Sequence, residues 1–457
     1  MTSKEVSIEA PARKSAMSDL YLKEDWWAIW IGLGIVILDV MFFSNGSSFL
    51  KSLAINPGGV KWTTFDQLLA HFANNANNYL MQFVAWMVIF GVSGRIMGIK
   101  MREFIPAFAF LYVLSLAMFG LGGWADASKY NMEAPLLALL IGLFISNFIG
   151  LPKWMDAGFR VEYFVKLGIV LLGATFPISL VATAGPVAIG QAMTISLVTC
   201  LTIFFVGTRL FGLDKRMCAV LGVGGSVCGV SGSMAIAASV GAEKEHLYTS
   251  VTLVVVWALI MIFFLPFVSQ ALGLSAGVAG AWIGTSEFAD AAGFAAASAY
   301  GKMAGNEEAA IKAFTLMKVI GRDLWIGIWS LVFALISTMV WERKEIGARP
   351  DAGEIWRRFP KFVIGFFIAS AFLSLYTAGA TPEDMGKFKK DLIAPIGSLR
   401  AWAFIFCFLS IGLTTRFRDL KSVGWKPFLA FTIGVGVNVV LGFILSVHVF
   451  GEYWGKL

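Results

Sequence analysis

The chain has 457 residues, of which 58% are hydrophobic and only 14% charged, with a formal net charge of +7. A soluble domain of this length carries about 25% charged residues, so this balance excludes a soluble enzyme core and specifies a polytopic membrane protein; the mean hydropathy of +0.76 agrees. The basic excess sits in short loops between apolar runs, where it orients helices, and does not indicate a nucleic-acid partner.

Residues 1–25 are polar and charged and lack the apolar centre of a signal peptide, which predicts a retained cytoplasmic tail. The rest, 26–457, reads as one transmembrane domain. A bilayer demands roughly 17–25 apolar residues per helix, and about thirteen segments meet that demand. They lie near 26–43, 79–97, 104–124, 134–151, 166–184, 187–208, 217–240, 249–272, 277–300, 312–340, 361–378, 401–415 and 427–449. The expected fold is an all-α, polytopic transmembrane helix bundle with interrupted helices. The stretch 62–78, with His71, Asn74, Asn75, Asn77 and Asn78, reads as an interfacial helix. Segment 277–300, rich in Ala and Gly, reads as a weak crossing, a hairpin or a packed inner helix.

Loop charges orient the bundle through the excess of Lys and Arg on the cytoplasmic side. With the N-terminus inside, the inner loops carry Arg95, Lys100 and Arg102; Lys153 and Arg160; Arg209, Lys215 and Arg216; Arg343, Lys344, Arg349, Arg357 and Arg358; and Arg416, Arg418, Lys421 and Lys426. The outer loops carry Lys51 and Lys61, Lys129, Lys244 and Lys302, with one exception at 379–400 (Lys387, Lys389, Lys390). The C-terminus is then expected in the periplasm, and the location is the inner membrane.

Leu172-Gly173-Ala174-Thr175, followed by Gly185-Pro186, resembles Ile411-Gly412-Leu413-Thr414, followed by Gly424. The offset is 239 residues at both glycines and at the threonine. An odd number of segments separates the copies, so they cross in opposite directions, as an inverted repeat requires. The halves would lie near 79–208 and 277–449. The glycine-rich segment at 217–240 has no partner under this offset.

Three places carry candidate chemistry. Gly224 to Ser233 holds four glycines and three serines in ten residues, inside an apolar run. A helix loosened there frees backbone groups that cannot face lipid, each costing several kcal/mol. They line a cavity or bind a solute; packing of small residues between helices is the structural alternative. A nest of successive N–H groups at Gly225 and Gly229, with helix-terminal dipoles and the hydroxyls of Ser226, Ser231 and Ser233, suits an anion. Cys228 adds a weak donor.

The second place is Gly284-Thr285-Ser286-Glu287-Phe288-Ala289-Asp290. Thr285 and Ser286 are candidate substrate ligands. Glu287 and Asp290 share one helix face and would exchange a coupling proton or cation, unless 277–300 stays at the interface. Third, Lys318 and Arg322 project from one face one turn apart, and Asp323 neutralises only one of them. They would favour a divalent anion, or pair with Glu287 and Asp290 as internal salt bridges.

Asp39, Lys166, Asn147 and Asn438 are lesser candidates: Asp39 snorkels or pairs, Lys166 reads as an interfacial anchor, and the two asparagines as interhelical hydrogen bonders. Cys200, Cys218, Cys228 and Cys407 form no CxxC pair, and His71, His246 and His448 are scattered, so no metal, disulfide or cofactor is expected. No protease, nucleophile-elbow or nucleotide-binding motif is present, so no enzyme activity is expected.

Three stretches are similar to the YeiH-like membrane proteins, a family named for sulfate export: Lys166 to Gly173, Gly225 to Ser231, and Lys318 to Arg322. The resemblance covers roughly 130–450. It implies a bacterial inner-membrane secondary transporter of an oxidised sulfur anion, with a fold related to sodium/proton antiporters and bile-acid symporters. Where that family has G-x-x-I-H and an acid, this chain reads Gly284-Thr285-Ser286-Glu287-Phe288-Ala289. The histidine is absent, and Glu287 or Asp290 would have to replace it. The expected function is therefore secondary active export of sulfate or a related sulfur oxyanion, coupled to a proton or cation. A passive anion channel, a carrier of an organic sulfonate or carboxylate, and a membrane-embedded enzyme or sensor are the alternatives. The expected partners are the lipid bilayer, the small anion and the coupling ion; a homo-oligomer is compatible with this composition.

Overall fold

The computed structural model describes residues 16–47, 49–59, 61–127, 134–175, 178–341, 361–417 and 424–457. The start of the tail, Lys129, the basic group from Arg343 to Arg358, and Arg418 and Lys421 lie outside them. Among the described residues the chain is helical, apart from an isolated bridge between Trp62 and Trp124. The expected all-α membrane bundle is what forms.

Short α1 (Ala16–Leu22) leads into α2 (Glu24–Ser44), followed by α3 (Phe49–Leu53) and α4 (Phe65–Asn74). Then come α5 (Ala76–Ile96), α6 (Met101–Gly122), α7 (Ala134–Phe144), α8 (Val161–Ala174) and α9 (Ile178–Phe205). Helices α2, α5, α6 and α9 are long and apolar enough to cross a bilayer. Their outer faces stay bare of protein; Leu38, Val88 and Val113 are among the exposed apolar side chains, as lipid contact requires. In α4, His71 Nε2 lies 2.8 Å from Tyr79 Oη. Partial burial pushes the His71 imidazole below its ordinary range.

The segment 217–240 departs from its expected crossing. It forms two half-length helices, α10 (Lys215–Gly224) and α11 (Gly229–Ser239), that fold back on each other. Arg216 Nη1, at the start of α10, donates to Gly241 O, just past the end of α11, at 3.0 Å. Two ends of a spanning rod would lie some 30 Å apart. Small residues let the arms touch: a Cβ on Gly224 would fall 2.4 Å from Ser233 Oγ. The loop after α11 turns through Gly241 at φ +59°, and α12 (Lys244–Ala271) then crosses completely. Lys244 therefore starts its helix on the same face as Asp214 and Arg216, where the charge alternation had put it on the opposite one. His246 Nδ1 sits 3.8 Å from Asp214 Oδ1 on that face.

Segment 277–300 takes the hairpin alternative. Its arms are α13 (Ala276–Ser286) and α14 (Asp290–Met303). Tyr300 Oη, late in α14, donates to Leu274 O (2.5 Å), just before α13. Because α12 has crossed, this hairpin enters from the opposite face. Two segments that return preserve the parity of everything after them, so the start of α2 and the C-terminus still lie on opposite faces; Gly277 packs against Trp454 O on the Leu274 side.

The chain continues through α15 (Glu307–Thr315), a wide-turned segment Leu316–Arg322, α16 (Trp325–Ile336), α17 (Phe362–Tyr376), α18 (Pro382–Phe388), α19 (Ala394–Thr414) and α20 (Trp425–Phe443). Helix α8 forms the centre, between α2, α17 and α19. The two similar glycine motifs both mark close helix approaches: a Cβ on Gly173 would lie 2.3 Å from Phe366 O, and one on Gly412 2.6 Å from Leu139 O. Asn438 Nδ2 donates to Thr199 Oγ1 at 3.2 Å, joining α20 to α9.

Candidate functional site

Each hairpin arm of ten to fourteen residues rises about 15–21 Å, half a bilayer. The two tips, Gly225–Cys228 and Glu287–Ala289, thus meet in the middle of the molecule. A Cβ on Gly229 would lie 3.0 Å from Phe288 O and 2.5 Å from Val254 Cγ1. Only glycine permits that approach.

A tip leaves carbonyls at the end of one arm and N–H groups at the start of the next. The carbonyls are taken by the two cations of the wide-turned segment. Lys318 Nζ donates to Val227 O (2.5 Å) and Phe288 O (3.3 Å), one from each tip. Arg322 Nε donates to Ser226 O (3.2 Å), and its Nη1 to Gly284 O (3.2 Å), Thr285 O (2.7 Å) and Glu287 O (2.9 Å). The extra residue per turn swings both side chains to one point; both are fully buried. Lys318 Nζ also lies 3.3 Å from Asp290 Oδ1 and 3.6 Å from Asp323 Oδ1.

The N–H groups divide into used and free. Gly225 N donates to Leu221 O, and Ser226 N and Val227 N to Val223 O. At the second tip, Glu287 Oε1 accepts from Phe288 N (2.9 Å) and Ala289 N (3.2 Å), so the protein's own carboxylate fills that nest. The first-turn amides of α11 and α14 have no partner four residues back; Asp290 opens α14, beside Cys228 at the N-terminus of α11. Cys228 Sγ lies 3.4 Å from Asp290 Oδ2. Cys228, Val230, Ser231, Ala289 and Asp290 form the less buried rim of the cluster.

The structure therefore brings together Ser226, Cys228, Gly229, Glu287, Asp290, Lys318 and Arg322, with Ser231 at the rim. It adds Asp323, which the sequence offered only as a counter-charge. Gly225 instead packs on Ile203 and Phe431. Ser233 Oγ donates to Gly229 O and pairs with Ser250 Oγ at 2.8 Å inside the first hairpin. Thr285 Oγ1 donates to Trp282 O, and Thr285 and Ser286 face Gly442 of α20. Of the lesser candidates, Lys166 is an ion-pair partner of Asp25 at 2.9 Å, Asn147 bridges to Thr415 O, and Asp39 is buried in α2.

Three carboxylates (Glu287, Asp290, Asp323) face two cations in this cluster, a formal excess of one negative charge. Buried, uncompensated charge is costly, and the cluster can relieve it by taking up a proton or a small cation. Cys228, Asp290 and Asp323 offer ligand atoms within 4.8 Å of one another.

These features define a polytopic helical membrane protein in which two half-membrane hairpins meet at a buried ionised cluster. The chain belongs to the family described as conserved hypothetical protein 698, whose match runs over residues 98–431. It is similar to a UPF0324 membrane protein of Rhodopirellula baltica, 32% identical over 88% of this chain and 73% of that one. A UPF0324 membrane protein of Nitratidesulfovibrio vulgaris is 30% identical over 84% of this chain and 66% of its own length. One of Nitrosomonas europaea is 27% identical over 88% and 90%. No solved structure matches the chain.

Proposed function

We propose that the protein is a secondary active carrier that exports a small anion, sulfate or a related sulfur oxyanion, across a bacterial inner membrane in exchange with a proton or cation. The observation that carries this reading is the meeting of two hairpins, from opposite faces, at one buried charged cluster. Irregular backbone at membrane depth is tolerated where it is buried in protein or lines a water-filled cavity, and sites at the bilayer midplane between oppositely oriented elements are the hallmark of secondary transporters. The anion would bind at the first turns of α11 and α14, with Ser231 as a hydroxyl donor, beside the Asp290 carboxylate. Protonation of a carboxylate in the Glu287–Asp290–Asp323 group, or cation binding there, would remove the competing charge and couple the two fluxes. The face bearing Arg95, Lys100, Arg160, Arg209, Lys215 and Arg216 is assigned to the cytoplasm by its basic excess.

Vesicles carrying the purified protein, given radiolabelled sulfate, chloride, lactate and an organic sulfonate under pH gradients of both signs, test this. The expected result is saturable, gradient-driven movement of sulfate. Movement of the organic sulfonate alone keeps the carrier and overturns the named substrate. Flux that neither saturates nor follows the gradient makes the protein a channel.

A further inference from the structure

On the face opposite the Asp214 turn, a cavity of about 880 Å³ opens between α8, α15, α17 and the α18–α19 arm. Its wall includes Thr175, Glu307, Glu308, Lys312, Lys389 and Arg400. A smaller cavity of about 330 Å³ adjoins it, and the two share Glu307 and Arg400. None of these residues belongs to the hairpin cluster, and Arg400 lies near the start of α19, away from both tips.

The charges in this wall are unevenly spent. Glu308 pairs with Lys312 at 2.5 Å, and Glu307 with Lys302 at 3.7 Å while also accepting from Ser298 Oγ at 2.5 Å. Among the described residues, Lys389 and Arg400 have no carboxylate within ion-pair distance. Arg400 Nη1 donates to Thr175 Oγ1 at 2.9 Å, and its Nε is buried without a hydrogen-bond partner. Arg400 is partly buried at the cavity wall and hydrogen-bonded there to one neutral hydroxyl; Glu307 and Glu308 act on it only through space, so no protein carboxylate takes its fork. Its planar fork suits a carboxylate or an oxyanion of sulfur or phosphorus, which take two parallel N–H donors. The volume falls within the range of small-molecule sites.

We propose that this cavity is a second anion-binding site, with Arg400 as its fixed donor and Lys389 as a mobile positive charge at its mouth. Its ligand class is a small oxyanion or carboxylate. The site stands on its own geometry and does not depend on the carrier reading.

The test uses purified protein in detergent with a cysteine introduced by Ala394→Cys, at an exposed position lining both cavities; the native cysteines are all buried. Modification rates are compared for a negatively charged methanethiosulfonate and its positively charged analogue. A focused positive field should favour the anionic reagent by about tenfold or more. Inorganic sulfate should slow the anionic reagent saturably, and Arg400→Gln should abolish both effects. Arg400→Lys should restore the charge preference while weakening sulfate protection, and Lys389→Gln, a surface change, should lower the preference without abolishing protection. Equal rates for the two reagents, or sulfate protection unchanged in Arg400→Gln, would overturn the proposal.

Discussion

Lys318 shows how one side chain can hold two hairpins. Its ammonium joins a carbonyl from each tip and two carboxylates, and it is wholly buried. Replacing it with Met keeps the volume and leaves Asp290, Asp323 and two carbonyls unpaired. The expected cost is about 3–5 kcal/mol in unfolding free energy, read by denaturation in mixed micelles. Adding Asp290→Asn to Lys318→Met should recover part of that loss, since the two share one interaction. An unchanged unfolding free energy in Lys318→Met would contradict the role. The sequence made Lys318 and Arg322 legible as buried cations needing partners, because charge inside an apolar run is costly. It did not reveal that Arg322 serves backbone carbonyls, since such partners leave no mark on residue type. Glu287 was legible as a buried acid, but its capping of its own tip amides depends on a turn that no spacing specifies.

At the scale of elements, hydropathy reads length but not direction. The run from Met217 to Val240 is long enough to cross, yet its glycine break halves the rise of each arm. The clues to a return were present: Arg216 before the run, Gly241 at its end, and short arms rich in small residues that pack closely. They were outweighed by the charge alternation, which two hairpins leave intact outside the segment between them. Side-specific labelling decides the matter. Cysteines placed at Lys215 and Glu243, the two ends of the first hairpin, should react with an impermeant reagent from one side of a sealed vesicle. Cysteines at Leu272 and Lys302 should react from the other. Labelling of Lys215 and Glu243 positions from opposite sides would restore a crossing rod.

Over the whole molecule, the bundle reads as a scaffold around two inverted half-membrane elements. Helix α8 packs tightly against α2, α17 and α19 through Gly168, Gly173 and their partners, a fixed body against which the hairpins are set. The similarity between the Gly173 and Gly412 motifs was legible, and its physical content is close helix packing. The relation between the two hairpins was not legible, because their tips share no residue order: one is Gly/Ser-rich and the other carries the acids. The account's central claim is that contact between these tips makes a carrier. Tracer counterflow in vesicles tests it most directly, with wild type beside Gly229→Val, whose added atoms press on Phe288 O and Val254. The account predicts that unlabelled sulfate inside the vesicles accelerates tracer sulfate entry in wild type, and that Gly229→Val reduces this at least about tenfold, a barrier change of about 1.4 kcal/mol, while remaining folded. Tracer entry indifferent to internal sulfate, or identical in a folded Gly229→Val, would contradict it.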